Sequence, residues 1–175
     1  VKPTTFGSYE SMVKQTIEPY FRNKPITLKD LEARHIQQFY SEKLKTVKPN
    51  SVIHYHAVIH QALKYAMKTD LVVQNVAMKV DRPKKNDFQP VFLDAAELQH
   101  LFEVVKGTKL ELPVLVAAFY GLRRGEVLGL KWDAIDFERG TLTIKRTVTS
   151  VNIGGKTQII EQESAKTKSS MRTLP

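Results

Sequence analysis

The sequence contains no cysteine, which excludes a disulfide framework and a thiolate-ligated metal site. It also lacks any apolar run of about 18 residues, so no segment is predicted to form a membrane-spanning helix. The start at Val1-Lys2-Pro3 is not a signal peptide and has no initiating methionine, which suggests a segment of a longer polypeptide. We therefore expect a cytoplasmic location and no contact with a membrane.

Acidic residues are in the minority. The 175 residues hold 27 Lys and Arg against 18 Asp and Glu, a formal net charge of +9. Residues 1–90 contribute 15 basic and 8 acidic side chains, whereas residues 91–175 contribute 12 and 10. This excess predicts a polyanionic partner that is held mainly by the first half. The alternative is a solvated basic surface without a partner.

Residues 1–80 have the apolar periodicity of a small helical domain. A first helix is predicted over residues 7–22, with Tyr20 and Phe21 filling the core near its bent end. A second helix is predicted to begin at Thr27–Asp30, and a third to be capped by Asn50 or Ser51. A short helix around residues 75–79 ends the domain, and residues 81–90 form a basic, proline-containing linker.

The polar faces of these helices are candidates for DNA binding. Arg and Gln side chains can make paired hydrogen bonds to base edges, and Lys can bind phosphates. A wet helix surface without a ligand is the alternative for each face. The candidate DNA-binding residues on the helices, the turn between them and the linker are Arg34, Gln37, Gln38, Ser41, Lys45, Lys48, His54, Gln61, Lys64, Lys68, Arg82, Lys84 and Lys85.

Two histidines at helical spacing, His56 and His60, superficially resemble a zinc site. A metalloprotease pattern also needs a glutamate directly after the first histidine, and Ala57 stands there instead. We therefore predict no metal and interpret His56 as a histidine at the edge of the core.

Residues 91–175 combine helices with a small antiparallel sheet. Asp94 is predicted to cap a helix that ends at Gly107, and residues 112–120 are predicted to form the buried central helix. Residues 141–148 alternate at period two, as a half-buried strand does, and residues 158–160 are predicted to form the returning strand.

Two arginines and a carboxylate follow this apolar helix in the run Gly121-Leu122-Arg123-Arg124-Gly125-Glu126. The run places a permanently charged guanidinium beside a buried helix end, where it requires an anionic partner. Glu126, at the helical i+3 spacing, is one such partner. On spacing alone, a helix junction with a surface Arg–Glu pair is the alternative to a functional site.

A second basic stretch, Ser164-Ala165-Lys166-Thr167-Lys168-Ser169-Ser170-Met171-Arg172-Thr173, lies near the end of the sequence. By itself it is interpreted as a hydroxyl-rich loop. In combination with the arginine motif, it resembles the β-hairpin lysine motif of the tyrosine recombinases, the phage-integrase family. The arginine motif is similar to that family's first catalytic-arginine box, and the likeness extends over nearly all 175 residues. It is closest to integrases of conjugative transposons and phages.

The resemblance implies a mainly α fold with a small antiparallel sheet: a helical SAM-like core-binding domain in residues 1–80, then the N-terminal part of a recombinase catalytic domain in residues 91–175. It implies duplex DNA as partner, self-association on DNA as a synaptic tetramer in the full-length parent, and no cofactor. It assigns Arg123 and Lys166 as catalytic, with Lys168 the less suitable lysine, and Glu126 as the residue that orients the arginine.

The sequence departs from the family's pattern after the lysine motif. The family continues with a His-x-x-Arg box and a nucleophilic tyrosine, but all five histidines precede Arg123 and the last tyrosine is Tyr120. We therefore expect a chain truncated before the nucleophile and unable to cleave DNA. Two alternatives remain: a non-catalytic DNA-binding module that occupies or antagonises recombination sites, and a structural helical domain that binds protein.

Overall fold

The computed structural model describes residues 1–163 and 172–175. The chain divides into two compact units, Val1–Gln89 (unit 1) and Pro90–Pro175 (unit 2). Unit 1 is helical, and unit 2 combines helices with two small antiparallel sheets. The predicted fold class, mainly α with a small antiparallel sheet content, is confirmed.

Unit 1 begins with a long helical segment and continues with two longer helices. The first segment consists of α1 (Pro3–Met12), a π-helical turn (Val13–Ile17) and α2 (Glu18–Arg22). The helices α3 (Ala33–Lys43) and α4 (Pro49–Lys68) follow, and a 3-10 turn (Val76–Lys79) ends the helical part. The predicted helix over residues 7–22 is confirmed and begins earlier, at Pro3.

An aromatic cluster forms the core of unit 1. Phe39 and Tyr40 of α3 are fully buried together with Ile36 and with Val52 of α4. The Tyr20 and Phe21 rings pack on Phe39 with centroid distances of 4.8 and 5.6 Å, so the prediction that these two residues fill the core is confirmed. Burial of several large side chains at one point supplies most of the stability expected of so small a unit.

Two predicted helix starts in unit 1 are wrong. The second helix begins at Ala33 rather than at Thr27, because Thr27 and Asp30 form a separate turn in which the Asp30 N–H donates to the Thr27 carbonyl at 3.1 Å. The third helix begins at Pro49, with Lys48 at the N-cap instead of Asn50 or Ser51. Proline suits the first helical position because its missing N–H would have no helical acceptor there.

Unit 2 begins with α5 (Ala95–Val105), α6 (Glu111–Tyr120) and the short α7 (Arg124–Leu128). The predicted cap of α5 is confirmed, since the Asp94 carboxylate accepts the Glu97 N–H at 2.8 Å. After a 3-10 turn (Trp132–Ala134), the strands are β1 (Ile135–Asp136), β2 (Thr141–Thr143), β3 (Arg146–Ile153), β4 (Lys156–Glu163) and β5 (Thr173–Leu174).

The strands form two separate antiparallel sheets, one in the order β1-β2-β5 and one made of the β3-β4 hairpin. The single strand predicted over residues 141–148 is therefore wrong. It is interrupted after Thr143, where the Ile144 N–H donates to the Arg172 carbonyl at 2.9 Å and the Lys145 ammonium donates to the Asp133 carbonyl at 2.6 Å. The returning strand predicted at residues 158–160 lies within β4.

The predicted burial of α6 is also wrong. No residue of this helix is buried, and the Leu112 and Phe119 side chains are 65% and 75% exposed. The core of unit 2 is small, with Leu122, Ala134, Leu142 and Ile144 at its centre, and α6 contributes Val116 to its edge. Among the described residues, no helix is long and apolar enough to span a membrane.

Candidate functional site

Arg123 lies at the junction between α6 and α7. Helix α6 ends at Gly121, whose backbone is left-handed with a φ of 61°, a conformation that glycine adopts without strain. Leu122 then enters the core, and Arg123 takes an extended conformation at the N-cap of α7. The change from the left-handed backbone at Gly121 to the extended backbone at Arg123 turns the chain sharply and leaves the Arg123 side chain 83% exposed.

Glu126 holds Arg123 at two points. The Arg123 backbone N–H donates to Glu126 Oε2 at 2.9 Å, and Arg123 Nη1 donates to Glu126 Oε1 at 3.2 Å. Glu126 is only 4% exposed, and a carboxylate can be buried at low free-energy cost only when its oxygens are hydrogen-bonded. The glutamate therefore fixes both the backbone and the guanidinium of Arg123.

Arg172 completes the cluster from the far end of the chain. Its Nη1 donates to Glu126 Oε1 at 3.2 Å and its Nη2 donates to Glu126 Oε2 at 2.9 Å, a two-point pairing of guanidinium and carboxylate. The backbone hydrogen bond from the Ile144 N–H to the Arg172 carbonyl places Arg172 immediately before β5. Arg172 stands in the lysine motif, and no local pattern indicates that it pairs with Glu126, which lies 46 positions away in the sequence.

The cluster contains more positive than negative side chains. Hydrogen bonds from Arg172, together with that from the Arg123 backbone and the charge of Arg172, outweigh burial and lower the pKa of Glu126 to about 2. Glu126 is therefore ionised at neutral pH, and two guanidiniums share one carboxylate. The Arg123–Glu126–Arg172 cluster carries a net charge of +1 with Arg123 as its exposed member.

Two glycines place α7 against β3. A Cβ added at Gly129 would lie 2.7 Å from the Arg146 carbonyl oxygen, and one at Gly125 would lie 3.1 Å from the Val148 carbonyl oxygen. The helix carrying Glu126 therefore packs directly on strand backbone. Gly125 lies in the arginine motif and Gly129 lies three residues after it, and their spacing of four residues is a local signal of this packing surface.

The other predicted catalytic residue, Lys166, lies outside the described residues. So does Lys168, the alternative lysine. The described chain stops at Glu163 at the end of β4 and resumes at Arg172. The assignment of Lys166 stays a prediction.

The candidate DNA-binding residues of unit 1 and the linker are all exposed. Several on α3 have partners within the chain: Arg34 pairs with Glu32 at 2.9 Å, Gln38 donates to Glu42 at 3.0 Å, and Ser41 donates to the Gln37 carbonyl at 3.1 Å. These are exposed contacts of small energy that a phosphate or base could replace. Their role in DNA binding stays a prediction.

Gln37 has a more specific place. Its side-chain oxygen accepts the Asp81 N–H at 3.1 Å, and its amide nitrogen donates to the Asp81 carbonyl at 3.5 Å. Both polar groups of the side chain therefore hold the start of the linker against α3. This contact competes with the predicted reading of base edges by Gln37.

His56 contacts the core as interpreted. Its Nδ1 lies 2.8 Å from the hydroxyl of the buried Tyr40, and its ring stacks on His60 at 5.8 Å. Burial, the charge of Arg82 and His60 together lower the pKa of His56, which favours the neutral imidazole. Among the described residues, no group of three or more His, Cys, Asp or Glu side chains is arranged to hold a metal ion.

The chain is similar in sequence to known integrases and recombinases. Residues 1–44 match the family described as "Phage integrase, N-terminal SAM-like domain". The chain is 28% identical to a "Tyrosine recombinase XerC-like" protein of Caldanaerobacter subterraneus subsp. tengcongensis over 99% of its own length and 47% of that protein. It is also 28% identical to the "Prophage integrase IntR" of Escherichia coli K12, over 66% of its own length and 27% of that protein. The chain thus spans less than half the length of these curated relatives.

Solved structures share the fold. The Tn1549 transposon integrase in complex with a circular intermediate DNA aligns with all of this chain and 56% of its own, with a TM-score of 0.72 and 19% identity. A lambda integrase dimer bound to a COC′ core site aligns with 94% of this chain and 56% of its own, with a TM-score of 0.69 and 18% identity. Together with the SAM-like match, these likenesses show that the chain has the fold of the integrases and is similar in sequence to tyrosine recombinases.

Proposed function

We propose that this chain binds duplex DNA and serves site-specific recombination that integrates a mobile element. The observation that carries the proposal is the Arg123–Glu126–Arg172 cluster, in which an exposed guanidinium is held in place and the surrounding charge is net positive. Such a group suits a phosphodiester, because a planar guanidinium can bind two non-bridging oxygens at once. The relatives with this fold were solved on DNA, which supports the same partner here.

The reaction we propose for the longer recombinase is a transesterification without a cofactor. A tyrosine oxygen attacks the scissile phosphorus, forms a 3′-phosphotyrosyl bond, and expels the 5′-oxygen of the next nucleotide. Arg123 stabilises the charge that develops on the non-bridging oxygens, and Lys166 donates the proton that the leaving oxygen needs. The hydroxyl of the partner strand later reverses the step and releases the tyrosine.

We further propose that these 175 residues do not cleave DNA by themselves. All five histidines precede Arg123 and no tyrosine follows Tyr120, so the family's His-x-x-Arg box and nucleophile have no counterpart in this sequence. In this division of work, unit 1 and the linker hold the phosphate backbone, while Arg123 and Lys166 act at the reacting phosphate. Lambda integrase was solved as a dimer and as a tetramer on DNA, which supports self-association on DNA as the assembly.

Variants of the chain can distinguish residues that contribute to DNA affinity from residues that act at the reacting phosphate. On a mixed-sequence duplex of about 30 base pairs, measured by fluorescence anisotropy, the double variant Arg34→Ala/Lys64→Ala should bind about tenfold more weakly, since two phosphate contacts are lost. Arg123→Ala should change affinity less than about threefold, because one exposed contact contributes little to the total. Arg139→Ala is the matched control, since Arg139 is an exposed arginine of unit 2 outside the cluster.

The proposal fails if the chain does not bind the duplex, or if Arg139→Ala weakens binding as much as the double variant. Cleavage is tested by incubating the chain with plasmid DNA and trapping covalent complexes with SDS. No complex is expected from the 175 residues, and a complex would contradict the proposed division of work. In a recombinase that carries this chain and supplies the nucleophile, Arg123→Ala should abolish the complex; unchanged cleavage would overturn the site, and the non-catalytic DNA-binding module would then be the better account.

A further inference from the structure

We propose that Arg172 is a positioning residue for Arg123. By pairing with the ionised Glu126 carboxylate, Arg172 balances its negative charge and leaves the Arg123 guanidinium available to a phosphate. The inference rests on the proposed function, because it concerns what keeps the Arg123 guanidinium able to bind a phosphate. It follows from the hydrogen bonds and the charge of three side chains that come from two distant parts of the sequence.

The hydrogen bonds at Glu126 are divided unequally between the two arginines. The buried carboxylate accepts two guanidinium bonds from Arg172 and one from Arg123, and the Arg123 backbone N–H supplies the fourth. Arg123 thereby uses one of its five guanidinium N–H donors on Glu126. Among the residues that the structure describes, Glu126 is its only hydrogen-bonded side-chain partner, and the Arg123 side chain remains 83% exposed.

Removal of Arg172 would change this division. A carboxylate that is 4% exposed cannot be left with vacant acceptor sites at low free-energy cost, so Glu126 would draw further donors from the nearest guanidinium, which is Arg123. The fork of Arg123 would then close on Glu126 instead of pointing to solvent. An arginine paired in this way is a poorer ligand for a phosphate.

The charge balance leads to the same result. Two guanidiniums and one ionised carboxylate give the cluster a charge of +1, and loss of Arg172 would reduce it to zero. A phosphate approaching Arg123 would meet a neutral ion pair. Arg172 thus acts through Glu126, and its effect on Arg123 is both geometric and electrostatic.

The test measures phosphate binding at Arg123 itself. Side-chain Nε–Hε resonances of arginine are followed by NMR in the 175-residue chain while inorganic phosphate is added at pH 7 in low salt. Arg172→Gln should weaken phosphate binding at Arg123 about tenfold, the loss expected when an ion pair replaces a free cation in a partly exposed site. Arg172→Lys, which keeps the charge, should remain within about threefold of the original affinity.

A second variant separates positioning from mere structural support. Arg172→Gln combined with Glu126→Gln restores a cluster charge of +1, because Arg123 then faces a neutral amide. This double variant should bind phosphate more tightly than Arg172→Gln alone, although Arg172 is still missing. Arg146→Gln is the matched control: it removes a guanidinium that pairs with Asp133 at 2.9 Å in the same unit and does not contact Glu126, so phosphate binding should stay unchanged.

The inference is overturned if Arg172→Gln binds phosphate as the original chain does, or if the double variant is no better than Arg172→Gln. A circular dichroism spectrum and the remaining arginine resonances report whether unit 2 has stayed folded. If Arg172→Gln unfolds, Arg172→Lys is used for the comparison instead. A tenfold loss of phosphate affinity in Arg172→Lys would contradict the charge argument. If Arg123 of the original chain does not respond to phosphate or to duplex DNA, the proposed function itself fails.

Discussion

At the scale of single residues, Glu126 determines the properties of the site. Its side chain is almost fully buried and accepts four hydrogen bonds, and the cluster lowers its pKa to about 2 from an ordinary value near 4.5. A buried carboxylate in this environment stabilises the folded state only while it is ionised. It therefore connects the stability of unit 2 to pH.

The sign of this dependence follows from the two pKa values. Because the folded value is the lower one, the contribution of Glu126 is fully present above about pH 4.5 and is lost as the pH falls toward 2. At pH 7 it is on the order of 3 kcal/mol, from 1.36 kcal/mol per unit of pKa difference. The free energy of unfolding of the original chain should thus exceed that of Glu126→Gln at pH 7, and the difference should shrink between pH 4.5 and about 2.5.

Urea unfolding of both chains at a series of pH values measures this difference, and Glu103→Gln on the exposed face of α5 is the control. The control should show no such trend. A difference between the original chain and Glu126→Gln that stays constant down to pH 2.5 would show that Glu126 is not held ionised by the two arginines.

At the scale of elements, the close packing of α7 on β3 positions the site. Gly129 has an ordinary φ of −92°, so the reason for glycine there is space rather than backbone conformation. An added Cβ would meet the carbonyl oxygen, the carbonyl carbon and the next Cα of β3 at 2.7, 2.8 and 3.0 Å. Strand backbone cannot yield as a flexible side chain does.

Gly129→Ala should therefore destabilise unit 2 by about 2 kcal/mol or more, the range of overpacked sites. Gly125→Ala, whose Cβ would meet one carbonyl oxygen at 3.1 Å, is the comparison and should cost less. Chemical denaturation of the two variants checks the order. Wild-type stability of Gly129→Ala would mean that α7 and β3 are not packed as described.

The same elements show which features a sequence reveals. The cap at Asp94 and the contact of Arg123 with Glu126 depend on residues three positions apart, and local spacing predicted both. The interruption of the strand after Thr143 and the pairing of Arg172 with Glu126 depend on residues that meet only in the folded chain. No local pattern carries that information.

The exposure of α6 has a different origin. Its apolar composition predicted burial, but burial also requires covering elements, and the described part of unit 2 leaves no residue of this helix buried. Leu112, Val116 and Tyr120 line an apolar groove of about 890 Å³ together with Trp132 and Phe137. Hydrophobicity predicts that a surface tends to be covered, not which segment covers it.

At the scale of the whole molecule, most of the net positive charge lies in unit 1. Residues 1–89 hold 15 Lys and Arg against 8 Asp and Glu, whereas residues 90–175 hold 12 against 10. Non-specific affinity for duplex DNA comes mainly from the release of counterions by phosphate contacts. We therefore expect unit 1 to supply most of the affinity and unit 2 to supply the chemistry at Arg123.

The salt dependence of duplex binding tests this account most directly. Affinity of the 175-residue chain for a mixed-sequence duplex is measured by fluorescence anisotropy at several salt concentrations. About six phosphate contacts should give a slope of log K against log salt near −5, and a loss of affinity of about a thousandfold between 50 and 200 mM. Arg34→Ala/Lys64→Ala should make the slope shallower by about two, and Arg123→Ala by no more than about one. A flat response to salt, or no binding at the lowest concentration, would contradict DNA binding and with it the proposed function.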